Sequence, residues 1–304
     1  MRQKKIGIAL GGGAARGWAH IGVLKALEKI GIQPDIVAGT SIGSIVGGCY
    51  AAEELPQLEH FATKLTSRKV LGFMDLNLAG SSLISGKRIC ATLETHLKDV
   101  RIENMKCQYI SVATELGSGH EVWMDKGYLV DAMRASYALP GIFKPVNINN
   151  RWLFDGAIVN PIPVSVCRAF GADIVIAVNL NNDSYGKGTV ISSHEATEIE
   201  HTPTEDESQL NRKTTLGKWR SRFFSEKSES PGISKVMLDA FNITQDRIAR
   251  ARLAGDPPNF SIKPRLDDIG LFDFHRAEEM ISLGEEATWR ARDELEHHLG
   301  SLAA

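Results

Sequence analysis

Residues 37–44 read VAGTSIGS, with Gly39 and Gly43 each two positions from Ser41, just after the β-branched pair Ile36 and Val37. A G-x-S-x-G between a strand and a helix makes a sharp, strained turn that holds the serine hydroxyl above the edge of a sheet, where it can attack a carbonyl. Glycine belongs at 39 and 43 because a side chain there collides across so tight a turn. A helix starting at Ile42 directs the positive end of its dipole at an anion formed near Ser41. The competing reading is a serine that only caps this helix. A second cluster, GGGAARG at residues 11–17, follows the apolar run Ile6 to Leu10 and opens a helical pattern. The backbone N–H groups of Gly11, Gly12, Gly13, Ala14 and on to Gly17 are the preorganised donors that the oxyanion of acyl transfer needs, and Arg16 adds positive charge. Here the competing reading is the dinucleotide fingerprint G-x-G-x-x-G. Counted from Gly11 the sixth position is Arg16, and counted from Gly12 the third is Ala14. The second strand also ends in Gly39-Thr40-Ser41 instead of the acid that would bind a ribose, so no nucleotide cofactor is expected.

A serine hydroxyl is a weak nucleophile until a base takes its proton. The chain has nine histidines, and none lies in a loop context that recommends it. His20 sits in the first helical pattern, His60, His96 and His120 precede any suitably placed acid, His194 and His201 fall in a polar stretch, and His275, His297 and His298 belong to a C-terminal helical pattern. Asp155 is better placed. It ends the short apolar strand of RWLFDGAIVNPIPV, residues 151–164, where an apolar wall desolvates the carboxylate, raises its pKa and so its basicity. Ser41 with Asp155 is the simplest machine available, and an ordinary Asp-Gly turn is the alternative.

Both sites need an α/β frame. Ile6 to Leu10 reads as a buried strand, Trp18, Ile21, Leu24, Leu27 and Ile30 recur at helical spacing, and Asp35 to Gly39 reads as a second strand, together a β-α-β unit whose functional loops lie at the carboxyl ends of its strands. Residues 109–114, 121–124 and 173–180 read as further strands, 129–137 as a helix, and 233–253 and 275–299 as helices flanking Phe260-Ser-Ile-Lys-Pro264. The expected fold class is α/β, a three-layer α/β/α arrangement with a mainly parallel central sheet and additional C-terminal helices. The expected organisation is a catalytic core over 5–180, a polar, mobile insertion over 181–231, and a C-terminal helical part over 232–304 packed on the same domain. With 304 residues, 43% of them hydrophobic, the chain supplies a sizeable core, and a net charge of -2 gives no general attraction to nucleic acid. Cys49, Cys90, Cys107 and Cys167 are too scattered for a metal site or a disulfide framework, which fits reduced thiols in a cytoplasm. The basic start is followed by only five apolar residues before the glycines, too few for a signal peptide, and no run approaches the ~18 apolar residues of a membrane span. Any membrane contact is therefore peripheral.

Three motifs in this order resemble those of the patatin-like phospholipases, in particular the short bacterial members related to the neuropathy-target-esterase catalytic domain: the glycine-rich loop at Gly11–Gly17, the elbow Gly39-Thr-Ser41-Ile-Gly43, and the D-G-A of Asp155-Gly156-Ala157. The segment from Arg134 to Phe143 is similar to the one that precedes this acid in the family, and the resemblance covers roughly residues 5–180. It implies a patatin-like fold and a histidine-free Ser-Asp dyad that cleaves acyl esters of phospholipids, lysophospholipids or neutral lipids, with no metal and no other cofactor. By position, Ser41 would attack the ester, Asp155 would accept its proton and later activate water, and amides around Gly12, Gly13 and Ala14 would hold the oxyanion. Ala14 departs from the glycine that many members carry there, and a positive φ would strain it. Because that departure bears on activity, a second reading is a lipid-binding or regulatory protein that keeps the fold with weak catalysis. The sequence carries no signal for headgroup, cleaved position or oligomeric state. Between residues 212 and 224 the cations Arg212, Lys213, Lys218, Arg220 and Arg222 interleave with Trp219, Phe223 and Phe224, which makes Leu216 to Phe224 the expected peripheral contact with an anionic bilayer.

Overall fold

The computed structural model describes residues 4–67, 95–181 and 233–303. The expected membrane contact, Leu216 to Phe224, and the polar insertion beyond Asn181 lie outside the described residues. Among the described residues the strands are β1 (Ile6–Leu10), β2 (Ile36–Thr40), β3 (Gln108–Glu115), β4 (Glu121–Met124), β5 (Val146–Ile148), β6 (Arg151–Asp155), β7 (Ile174–Val178) and β8 (Phe260–Ile262). The helices are α1 (Ala19–Ile30), α2 (Ile42–Ala51), α3 (Leu55–Thr63), α4 (Leu129–Ser136), α5 (Val164–Ala169), α6 (Ile233–Gly255), α7 (Ala277–Arg290) and α8 (Arg292–Ala303). The sheet runs β5-β6-β3-β2-β1-β7-β8, with β4 paired to β3 outside that path. From β3 to β8 all neighbours are parallel, while β4, β5 and β6 are antiparallel to theirs.

The three layers follow from alternation along buried strands. Ile8, Leu10, Val37, Tyr109, Ile176 and Val178 point to one face and pack with residues of α1, α2, α3, α4 and α7. Ala9, Ile36, Ala38, Ile110, Val175 and Ala177 point to the other and pack with Val164, Val166 and Cys167 of α5 and with Ala249 and Leu253. With both faces covered, β1, β2 and β7 read as continuous apolar runs, the mark of a parallel strand.

The chain divides into two compact units, Met1–Ser184 with Gln245–Ala304, and Tyr185–Thr244. Of the second, the described part is the opening of α6, where Val236, Met237 and Ile243 are exposed. In the first, α7 lies tight against α1. A Cβ on Gly22 would fall on the Ile281 carbonyl oxygen and one on Gly284 on that of Ala19, so glycine at both positions sets the closeness of the pair. The helical pattern over 275–299 is interrupted at Ala291, whose N–H bonds three residues back to Thr288, and Leu295 beyond it is buried. No described helix is long and apolar enough to cross a membrane.

Candidate active site

Register brings the distant motifs together. Thr40 pairs with Val112 and Asp155 with Ala113, the next residue of β3, and since β4 occupies the other edge of β3 at both positions, the ends of β2 and β6 meet on one edge of that strand. Ser41 follows Thr40 directly and opens α2 with φ 56 and ψ -124, a strained conformation for a residue with a side chain. Such a residue costs about 1–3 kcal/mol and persists only when its surroundings hold it. Here they do. A Cβ on Gly39 would strike the Gly43 carbonyl oxygen, and one on Gly43 would strike that of Leu10. The Ser41 N–H donates to Ser136 Oγ at 2.9 Å, whose own hydroxyl donates to the Val112 carbonyl at 2.6 Å. Thr40 Oγ1 donates to the Asn160 carbonyl at 2.9 Å.

The elbow delivers a short hydrogen bond: Ser41 Oγ donates to Asp155 Oδ2 at 2.7 Å. The other carboxylate oxygen, Oδ1, accepts the Ala157 N–H at 2.9 Å. Asp155 is 1% exposed, and burial raises its pKa from 3.8 to about 7 against the pull of Ala157 and Ser41. Gly156 must lack a side chain because a Cβ would meet the Val112 carbonyl oxygen. The carboxylate is thus basic near neutrality for a plain reason, the apolar wall on which β6 ends.

The glycine-rich loop closes the crevice. A Cβ on Gly12 would sit 3.5 Å from that of Ser41 and 3.2 Å from that of Ala157. Its amides have different fates. Gly11 N–H donates to Val178 O at 3.2 Å, Gly12 N–H to Pro161 O at 3.0 Å and Ala15 N–H to Leu271 O at 3.0 Å. Among the described residues, the Gly13 and Ala14 N–H groups make no hydrogen bond. Arg16 Nε donates to Ile269 O at 2.9 Å and Nη1 to Asn181 Oδ1 at 3.3 Å, so its guanidinium ties the loop to the C-terminal segment. Ala14 takes the strained alternative, with φ at 50. Gly17 is the contact point with the elbow helix, since a Cβ there would overlap the Ile42 side chain. Among the described residues there is no group of three or more His, Cys, Asp and Glu that could hold a metal ion.

The Patatin family, described as patatin-like phospholipase, matches residues 8–168, a stretch that contains all three motifs. The chain belongs to the patatin-like phospholipase family. An uncharacterized NTE family protein of Mycobacterium tuberculosis is 30% identical over 332 aligned positions, which cover 96% of this patatin-like chain and 92% of that protein. The Lysophospholipase NTE1 of Coccidioides immitis is 28% identical over 291 positions, 92% of this chain but 17% of that much longer one. VipD from Legionella pneumophila has a TM-score of 0.48 at 13% identity over 96% of this chain and 67% of its own, too loose a likeness to compare sites.

Four elements of this patatin-like site were not singled out from the sequence. Ser136 receives the Ser41 amide, Asn160 anchors Thr40, the Ala157 amide orients the Asp155 carboxylate, and the loop from Ile269 to Phe274 buttresses the glycine cluster. The last includes Trp18 Nε1 donating to Phe274 O at 3.2 Å with the two rings edge to face. Ser136 lies in the Arg134–Phe143 segment that carried the family resemblance, which is the one signal that pointed near it.

Proposed function

We propose that the chain is a lipid acyl hydrolase of the serine-esterase type, a phospholipase or lysophospholipase, with Ser41 as nucleophile and Asp155 as its base. The observation that carries this reading is the 2.7 Å bond between Ser41 Oγ and Asp155 Oδ2 on a strained elbow. Ser41 Oγ attacks the ester carbonyl carbon while its proton passes to Asp155 Oδ2. The tetrahedral oxyanion is held by the Gly13 and Ala14 amides, the pair left without acceptors in the loop, and by the N-terminal end of α2. Collapse breaks the bond to the alcohol, which leaves with the proton from Asp155. Water then attacks the acyl-serine, Asp155 takes its proton, and the fatty acid is released as Ser41 Oγ recovers a hydrogen. A pKa of about 7 suits one carboxylate to both halves of this cycle, accepting a proton in each attack and returning it in each collapse.

The lipid class rests on family membership and on the relative named Lysophospholipase NTE1. A reducing compartment is supported by the free thiols of Cys49, Cys107 and Cys167. The positive φ of Ala14 is what favours the second reading, a weakly active lipid-binding protein, and a fluorophosphonate serine probe separates the two by labelling Ser41 or failing to. The decisive experiment is hydrolysis of lyso- and diacyl-phospholipids and short nitrophenyl esters by wild type, Ser41→Ala and Asp155→Asn. Turnover by wild type and its loss in both variants is expected, and equal turnover by wild type and Ser41→Ala removes the assignment.

A further inference from the structure

His20 is fully buried in α1, nine residues after the start of the glycine loop, and its Nε2 lies 2.8 Å from the Gly11 carbonyl oxygen. A carbonyl only accepts, so Nε2 carries the proton and Nδ1 presents a lone pair. Among the described residues that lone pair has no partner. Burial pulls the His20 pKa down to about 4, so the ring is neutral at working pH. A neutral imidazole with one orphaned nitrogen is a poor choice for core stability, because an unsatisfied buried acceptor costs about 1–3 kcal/mol. What the ring does accomplish is local. The Gly11–Gly12 peptide is pinned at both edges, its carbonyl by His20 and its N–H by Pro161 O at 3.0 Å. On the far side, Ala15 is tied to Leu271 and Arg16 to Ile269. Gly13 and Ala14 are the stretch between these two clamps, and their amides are the ones without acceptors.

We propose that His20 is a positioning residue for the oxyanion loop: its Nε2–H holds the Gly11 carbonyl in place and so fixes the Gly13 and Ala14 amides where the anion forms. This deepens the hydrolase reading and rests on it. The Gly11 carbonyl is packed beneath the elbow, 2.8 Å from where a Cβ on Gly43 would be, and has no other donor among the described residues. Without the imidazole it gains a hydrogen bond only by rotating out of that position, and the same rotation takes the Gly12 N–H off Pro161 O and displaces the next two amides. The dyad does not pass through His20, so the base is untouched.

Three substitutions separate a donor at the Nε2 position from mere bulk. Gln places its amide nitrogen near Nε2, Asn places one near Nδ1, and Phe keeps the ring without a donor. With a Ser41-dependent ester substrate, His20→Phe and His20→Asn are expected to lower kcat about a hundredfold with KM nearly unchanged, the scale of losing an oxyanion donor. His20→Gln is expected to recover kcat to within a few-fold, and all active variants keep the same apparent pKa near 7 in kcat/KM. Folded Phe and Asn variants with wild-type kcat overturn the proposal, as does a Gln variant no better than Phe. If the Phe variant does not fold, Gln against Asn alone decides. A readout independent of turnover is the nitrogen-15 spectrum of the His20 ring in the wild-type protein: the Nε2–H tautomer is expected, and a proton on Nδ1 overturns the proposal whether or not the chain hydrolyses lipid. Absence of any Ser41-dependent turnover, with the Nε2–H tautomer present, counts against the hydrolase reading instead.

Discussion

Replacing Asp155 with Asn is expected to stabilise the fold, and to do so more as pH rises. The unfolded carboxyl titrates at 3.8 and the folded one at about 7, because burial penalises the charge. Below the lower value both states are protonated and the buried group costs nothing through ionisation. Between the two, the unfolded chain has released its proton while the folded chain still holds it, so stability falls by about 1.36 kcal/mol per pH unit. Above about 7 the full penalty is reached. Three pH units of separation at that rate amount to about 4 kcal/mol, a large share of a typical 5–15 kcal/mol stability. Asn keeps the shape and an oxygen for the Ala157 N–H, and carries no charge at any pH. Urea unfolding of both proteins at about pH 5 and about pH 8 should therefore show the advantage of Asp155→Asn growing by roughly 2–3 kcal/mol across that interval. Wild-type kcat/KM should rise over the same range with an apparent pKa near 7, since only the ionised carboxylate accepts the Ser41 proton. An advantage that stays flat with pH, or that shrinks as pH rises, refutes the account of Asp155 as a base made strong by burial.

Other outcomes follow from single contacts. Ser136→Ala leaves the Ser41 N–H without its acceptor and should lose about 1–3 kcal/mol in urea unfolding, with kcat reduced as the elbow relaxes. Gly43→Ala directs a methyl at the Leu10 carbonyl oxygen, a backbone atom of the central strand that has nowhere to go, and should yield little soluble protein or a melting midpoint many degrees lower. Gly284→Ala places a methyl on the Ala19 carbonyl oxygen, parts α7 from α1, and should cost about 1–3 kcal/mol, with hydrogen exchange of α7 amides accelerated before those of β1 and β2.

How much of this was legible depended on how far apart in the chain the partners lie. The β-α-β start, the buried strand over 173–180 and the helix from Leu129 were readable because each is a local pattern: a period of 3.6 against a continuous apolar run. The break at Ala291 was not, since residues 275–299 keep helical spacing through it and the turn is set where Leu295 is buried. Which amides of the glycine loop remain open was equally hidden. Gly12 and Gly13 are identical in sequence, and only the arrival of Pro161 from the far side of the sheet commits one and leaves the other. Arg16 next to a crevice reads as a charge for the substrate, yet Ile269 and Asn181, more than 150 residues away, take its guanidinium.

By itself the sequence determined which groups are on offer: a serine between glycines at a strand end, an acid at another strand end, a run of small residues whose amides can face an anion, and a mainly parallel sheet to carry them. Glycine spacing and apolar period are consequences of sterics within a few residues, so they are written in the chain order. The tertiary structure decided the distances. The register along one edge of β3 sets Asp155 beside Ser41, and burial moves the acid's pKa to about 7. Both depend on which segments meet and how much water they exclude, and those are properties of the packed molecule that no window of sequence contains.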